Sequence, residues 1–261
     1  MTNKFELKER NKLKYFIGNW KMFGDLSSLK IIYQIHRFCV RFKRRLKKNK
    51  IILCVPTTLI YYFNTKLKSK FISIGAQNCH SHKTYGPFTG SVSASMLKNA
   101  GAKYVILGHS ENRAEGDTNQ LIKKKIESAL NQKLNIIFCI GDTFKEKRDG
   151  KTLLILKNQM RGSISTKYDL KKIIIAYEPV WSIGTGKIPK IQELKKTFKY
   201  IKSEFKKNFR TTTFPTVLYG GSVNVNNISI FSSISEIDGF LVGKGSQSSD
   251  KFIDIIKNYY K

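Results

Sequence analysis

Acidic residues and arginine are both scarce in this chain. Eighteen Asp and Glu stand against 48 Lys and Arg, a formal charge of +30 over 261 residues. An excess this large raises the prospect of a nucleic-acid or membrane partner, because clustered cations neutralise phosphates. Only 9 of the 48 basic residues are Arg, however. Base recognition favours the planar, bidentate guanidinium, so specific nucleic-acid reading is not expected. The four cysteines, Cys39, Cys54, Cys79 and Cys139, show no Cys-x-x-Cys spacing. In a chain of this length they read as reduced, buried thiols and not as a disulfide framework or zinc site. No apolar run reaches the roughly 18 residues of a membrane span. Met1 to Lys14 carries charges of both signs and no apolar signal core, and Glu6 and Glu9 interrupt its basic run. Export and organellar import are therefore not expected, which leaves a cytoplasmic protein.

What is present is a folding sequence, 41% hydrophobic and 12% aromatic. Short apolar runs recur along it: Tyr15–Asn19, Ile51–Val55, Phe71–Gly75, Lys103–Leu107, Asn135–Ile140, Ile173–Glu178, Thr216–Tyr219 and Ile237–Val242. They are continuous, as strands buried on both faces of a parallel sheet must be. Segments with apolar positions three and four apart lie between them, over Leu26–Leu46, Asn119–Leu130, Ile191–Phe209, Asn224–Ile234 and Ser246–Tyr259, with a weaker one over Lys151–Met160. Pro189 and Asp117 serve as helix-start signals. Eight strands alternating with helices predict an α/β fold, a (β/α)₈ barrel over residues 14–261 behind an extension of residues 1–13. An open doubly wound sheet is the alternative, but no Gly-x-Gly-x-x-Gly follows the first strand.

In a barrel, chemistry belongs to the C-terminal strand ends. Here those ends carry Gly18-Asn19-Trp20-Lys21-Met22, Gly108-His109-Ser110-Glu111-Asn112-Arg113, Glu178, Gly220-Gly221-Ser222 and Gly243-Lys244-Gly245-Ser246. The two glycine-rich loops offer backbone N–H groups to an anion such as phosphate, or alternatively only make tight turns with Ser222 and Ser246 as caps. Lys21, His109 and Glu178 supply a cation, an imidazole and a carboxylate. Without a metal or organic cofactor, that set suits proton transfer beside a carbonyl. His109 is isolated and His80-Ser81-His82 lacks a third ligand, so no metal is expected. Pro179-Val180-Trp181 through Gly184-Thr185-Gly186-Lys187 has the makings of a hinged lid.

Taken together, Gly18-Asn19-Trp20-Lys21-Met22, Gly108-His109-Ser110-Glu111, Ala176-Tyr177-Glu178-Pro179-Val180-Trp181, Gly184-Thr185-Gly186-Lys187 and Tyr219-Gly220-Gly221-Ser222-Val223 resemble the triosephosphate isomerases from about Lys14 to the C-terminus. The resemblance implies interconversion of dihydroxyacetone phosphate and glyceraldehyde 3-phosphate, in glycolysis and gluconeogenesis, without a cofactor. It makes Glu178 the base, His109 the donor to substrate oxygens, Lys21 the cation, Asn19 a positioning residue and Glu111 the partner of Lys21. Pairing a glutamate base with a neutral histidine is the established assignment for that family and no deduction from this sequence. The Gly184 amide, Ser222 and the amides near Gly243 and Lys244 would hold phosphate. The family is usually a homodimer, so the loop from Gln77 to Gly90 would enter a second copy, with Thr89 near the site and Cys79 at the interface.

The chain also departs from that pattern. Ser91 and Asn112 stand where the family usually has Glu and Arg, charges that meet across the dimer interface; losing both leaves neither unpaired. The segment from Arg113 to Asp117 is one residue shorter than usual. Lys244 replaces a glycine, so its backbone either has ordinary dihedrals or is strained. Ile188-Pro189 replaces small or hydroxyl residues at the far lid hinge. Two other readings stay open at this point: another phosphate-binding barrel enzyme, and a nucleic-acid binder using Arg37–Lys50. The positive field could alternatively assist capture of a dianionic substrate.

Overall fold

The computed structural model describes residues 13–261. The expected extension therefore lies outside the described residues except for Leu13. Eight strands form a closed parallel barrel in sequence order. They are β1 (Lys14–Asn19), β2 (Asn49–Cys54), β3 (Ile72–Ala76), β4 (Tyr104–Leu107), β5 (Asn135–Ile140), β6 (Ile173–Tyr177), β7 (Thr216–Tyr219) and β8 (Gly239–Val242). The continuous apolar runs are explained by two separate cores. Ile17, Ile52, Ile106, Ile137, Ile174, Leu218 and Leu241 fill the inside of the barrel. Their neighbours in sequence, such as Phe16, Leu53, Val105, Phe138, Ile175 and Val217, pack outward against the helices. Successive side chains point to opposite faces of a strand, so a strand with both faces buried must be apolar throughout.

The helices that follow Thr118 and Lys190, Asn119–Asn131 and Ile191–Phe209, match the sequence periodicity. The cap of the first is Thr118, whose hydroxyl accepts from the Leu121 N–H, and not Asp117 as the sequence suggested. Leu26–Leu46 resolves into a 3₁₀ turn at Leu26–Ser28, capped by Asp25, and a helix at Leu29–Arg41. Asn224–Ile234 does not form an α-helix; only a 3₁₀ segment, Ile228–Ser233, is present. The reason is local competition. The Asn224 side chain accepts from the N–H groups of Asn226 and Asn227, while that of Asn227 accepts from the N–H of Asn224. Side chains that bond nearby backbone in this way hold it out of the helix. Periodicity also missed Thr57–Lys66, Ala94–Asn99 and Phe144–Arg148.

Two helix ends carry an unexpected residue. Lys133 follows the helix Asn119–Asn131 at φ 59°, and Arg210 ends Ile191–Phe209 at φ 49°. The Lys133 N–H donates to Leu130 O and the Leu134 N–H to Ala129 O, a pattern that glycine usually completes. An L side chain is strained in this region, whereas glycine is not. Lys133→Gly should therefore raise stability by about 0.5–1 kcal/mol. The midpoint of urea unfolding checks this, and an unchanged or lower midpoint would refute the strain.

Candidate active site

Glu178 follows the last residue of β6, and its N–H donates to Ile140 O at 2.8 Å. Its side chain is 2% exposed. Space for it exists because of two glycines: a Cβ on Gly220 would lie 2.8 Å from Glu178 Cγ, and one on Gly141 would lie 1.8 Å from Glu178 O. Burial pushes the carboxyl above its ordinary value, since desolvation penalises the charged form. The His109 ring, the Cys139 thiol, the Ser110 N–H and Lys21 oppose that rise. The carboxylate is thus kept ionisable but basic.

His109 sits 5% exposed at the N-terminus of a short helix, Ser110–Ala114. Its Nδ1 accepts the Glu111 backbone N–H at 3.2 Å. That bond assigns the lone pair to Nδ1 and the proton to Nε2, making the ring neutral. The Glu111 carboxylate is 3.6 Å from the same nitrogen, too far to reverse the assignment. Nε2 lies 3.4 Å from Glu178 Oε1.

Lys21 completes the group. Its Nζ meets Glu111 Oε1 at 2.5 Å, and its N–H donates to Asn19 Oδ1 at 3.1 Å. Lys21 adopts φ 56°, a strained conformation for a lysine. Of the two alternatives the sequence left open at Lys244, ordinary dihedrals hold, since it is not among the positive-φ residues. A Cβ on Gly243 would lie 3.8 Å from Lys21 Cε, so the loop after β8 lies alongside the Lys21 side chain.

The remaining loops tie the rim together. The Ser222 N–H donates to Ser182 Oγ at 3.2 Å, and Ser182 Oγ donates to Lys187 O at 2.5 Å. Ser182 Oγ also lies 3.2 Å from the Tyr219 hydroxyl. Gly184 and Gly186 form an exposed tip at φ 72° and 78°, with nothing within 4 Å of a Cβ built on either. The near end is gripped by Lys147, whose ammonium lies 3.9 Å from the centre of the Trp181 ring and 3.0 Å from Glu193. At the far end Pro189 is buried, Ile188 packs on the core and Lys187 O is held by Ser182, so both hinges are anchored and only the glycines of the tip are bare.

A cavity of about 550 Å³ opens beside the site. Asn19, Lys21, His109 and Glu111 share its wall with Cys79, Ser91 and Asn112. The two positions that lack the charges expected from the resemblance therefore face the same space. Cys79 is buried, its thiol pushed up to about 12 by desolvation. Thr89 is exposed in the loop between β3 and β4 and does not line the cavity. His80 and His82 pack on Phe88, with ring centres 4.3 and 5.2 Å apart. A buried base, a neutral imidazole donor and a fixed ammonium, beside two amide-rich loops, fit proton transfer on a small phosphorylated carbonyl compound.

A sequence profile described as triosephosphate isomerase matches residues 14–259. The chain belongs to the triosephosphate isomerase family. It is 37% identical over 250 residues to the triosephosphate isomerase of Dictyoglomus thermophilum, covering 94% of this chain and 99% of that one. It is 34% identical to that of Hyphomonas neptunium, covering 92% and 96%. The crystal structure of triosephosphate isomerase from Bartonella henselae superposes with a TM-score of 0.85 at 33% identity, over 95% of this chain and 99% of that one.

Several groups that complete this triosephosphate isomerase site were not singled out from sequence. Cys139 had been read as a buried thiol only, yet its position at the end of β5, in register with Ala176, sets it against Glu178. Arg113 donates to Gly108 O, Asn119 Oδ1 and Cys139 O, bracing the loop after β4. Lys125, buried beside the cavity, pairs with Asp117 at 2.7 Å and donates to Asn78 Oδ1, which closes the shortened segment. Ser182, on which the sequence offers no reading, is fully buried. The crowding of Glu178 by Gly220 yields a test. Gly220→Ala should lower kcat by roughly 10–100-fold with little change in thermal midpoint, because a displacement near 1 Å misaligns the base. Steady-state kinetics with wild-type kcat would refute the packing argument.

Proposed function

We propose that Glu178 is the base of the isomerisation this chain catalyses, the interconversion of dihydroxyacetone phosphate and glyceraldehyde 3-phosphate. Glu178 takes a proton from the carbon that bears the hydroxyl, and the C–H electron pair becomes the double bond of an enediolate. The carbonyl oxygen takes up the charge, stabilised by the Nε2–H of His109 and the ammonium of Lys21. The hydroxyl proton passes by way of His109 to the former carbonyl oxygen, Glu178 returns its proton to the neighbouring carbon, and the isomerisation is complete with no cofactor consumed. Asn19 positions Lys21 through its N–H, and Glu111 fixes both Lys21 and the tautomer of His109. The amide of Gly184, Ser222 and the amides of Gly243 and Lys244 hold the phosphate, and the lid excludes water that would let the enediolate lose it. The observation that carries this reading is the single cluster formed by His109, Glu178 and Lys21 from three separate strand ends.

Pure protein should turn over glyceraldehyde 3-phosphate in a coupled assay, and Glu178→Gln should lose roughly 10²–10⁴-fold in kcat. Equal turnover by both proteins would overturn the assignment. Stability provides an independent check, with a definite sign. Glu178 has its carboxyl raised on folding, so ionisation costs more in the folded state than in the unfolded one. Below about pH 4, the ordinary range of glutamate, both states hold the proton and no cost arises. The cost grows as pH rises through the folded value. Glu178→Gln should therefore be more stable than wild type at pH 7, and the gain should vanish near pH 4. Urea midpoints at the two pH values decide it; a glutamine variant less stable at pH 7 would contradict the burial argument.

The same proposal includes a homodimer and a cytoplasmic location. The cavity beside Lys21 and His109 supports the first, because it brings Ser91, Asn112 and Cys79 to the edge of the site without a charge at either of the first two positions. Neutral contacts of that kind can seat a loop of a second copy with no buried, unpaired ion. The chain should sediment as a dimer at micromolar concentration; a monomer under those conditions would refute the pairing. Among the described residues no helix is long and apolar enough to cross a membrane.

A further inference from the structure

All eight strands run in the same direction, so their starting ends share one face of the barrel, opposite the site. The connections leading into β2 through β6 carry five basic residues in 42–48, two in 67–71, one in 100–103, one in 132–134 and three in 164–172. The only acid in those five connections is Asp169, and its carboxylate is turned onto the Lys171 N–H. Lys47, Lys70, Lys103, Lys133 and Lys171, one from each connection, are exposed and enter no ion pair among the described residues. On the other side of the face the balance changes. Glu236 and Asp238 precede β8 and are paired with Lys199 and Lys202. The five connections therefore form a basic arc over adjacent strands, 12 basic residues against one acid.

We infer that this arc is a binding surface for single-stranded nucleic acid, held through its phosphates and without sequence preference. Neighbouring strands are about 5 Å apart, so the arc extends about 20 Å along the sheet and presents a row of ammonium groups to a row of phosphates. A duplex, stiff over about 150 base pairs, does not follow so tight a curve, whereas a single strand does. Lysine supplies point charges and no bidentate fork, which suits backbone contact and not base reading. Phe71, exposed beside Lys70 and within 6.1 Å of the His36 ring, provides a face on which a base can stack. A flat anionic bilayer fits less well, because it would meet the paired acidic side of the face at the same time. The backbone under the arc is firm. The Lys103 N–H donates to Ile74 O, and Lys103 O accepts from both the N–H and the side-chain amide of Asn135.

The test is fluorescence anisotropy of labelled oligo(dT) and oligo(U) with the full chain, over a range of salt. Five phosphate contacts predict a log–log salt slope of about −3.5, which is about a hundredfold weaker binding at 200 mM than at 50 mM salt. The combined variant Lys70→Gln, Lys103→Gln, Lys133→Gln should flatten that slope by about 2 and weaken binding at least tenfold. Its isomerase activity should be unchanged, which also shows that it is folded. A control with the same charge loss on the outer helices, Lys30→Gln, Lys124→Gln, Lys196→Gln, should bind like wild type. Equal losses in the two variants would reduce the effect to diffuse net charge and overturn the inference. So would absence of oligonucleotide binding, or a preference for phosphatidylserine vesicles over both oligonucleotides.

Discussion

A carboxylate kept ionisable without water is the constraint on which this rim depends. Glu178 is buried at the tip of β6, where nothing on its own strand can stabilise its charge. The compensating groups come from elsewhere: Cys139 from β5, His109 and Ser110 from the loop after β4, and Lys21 from the loop after β1. A closed barrel of parallel strands brings these ends to one place, which an open sheet with its distant edges would not. The price of the arrangement falls on backbone. Gly141 and Gly220 must lack side chains to leave room for Glu178, and Lys21 must adopt a conformation that an L residue disfavours.

The strain at Lys21 has a visible counterweight. Asn19 accepts the Lys21 N–H, while Glu111 holds the ammonium at 2.5 Å and sends its own N–H to His109. One residue, Glu111, therefore couples the position of the cation to the tautomer of the imidazole. Charge stabilisation by groups already fixed in place needs no reorganisation when an oxyanion forms. The lid follows a different logic. Its ends are gripped by Trp181 under Lys147 and by Pro189 in the core, and its glycine tip stays open to solvent. Anchored ends leave Gly184 and Gly186 as the bare part of the lid, where the Gly184 amide is proposed to meet phosphate.

The barrel was legible in the sequence because burying both faces forces continuous apolar strands, and eight such runs with helices between them admit few other folds. The side chains proposed as catalytic stand out in the sequence because each lies at a strand end with a distinctive neighbour, as in Asn19-Trp20-Lys21 or Tyr177-Glu178-Pro179. Supporting contacts were hidden for a physical reason. Ser182, Cys139 and Arg113 act through partners on other strands, and a sequence shows no register between strands. The segment from Asn224 misled periodicity because its Asn side chains, good at bonding local backbone, defeat the helix that its apolar spacing suggests. At Lys244 the sequence left ordinary dihedrals and strain both open. A 3₁₀ turn over Lys244–Gln247 accommodates it without positive φ.

The positive charge is matched differently at the two ends of the barrel, and the difference bears on how each end can use it. At the rim three cations have acidic partners: Lys21 with Glu111, Lys125 with Asp117, Lys147 with Glu193. At the opposite face Lys47, Lys70, Lys103, Lys133 and Lys171 enter no ion pair among the described residues. Strands of four to six residues separate the two ends by roughly 13–20 Å. At physiological ionic strength the Debye length is about 8 Å, so the far lysines are largely screened from the rim. Capture of a dianionic substrate at the proposed site then draws little on the far lysines. The unmatched charge at the far face still repels itself, a cost that an anionic chain lying along it would remove.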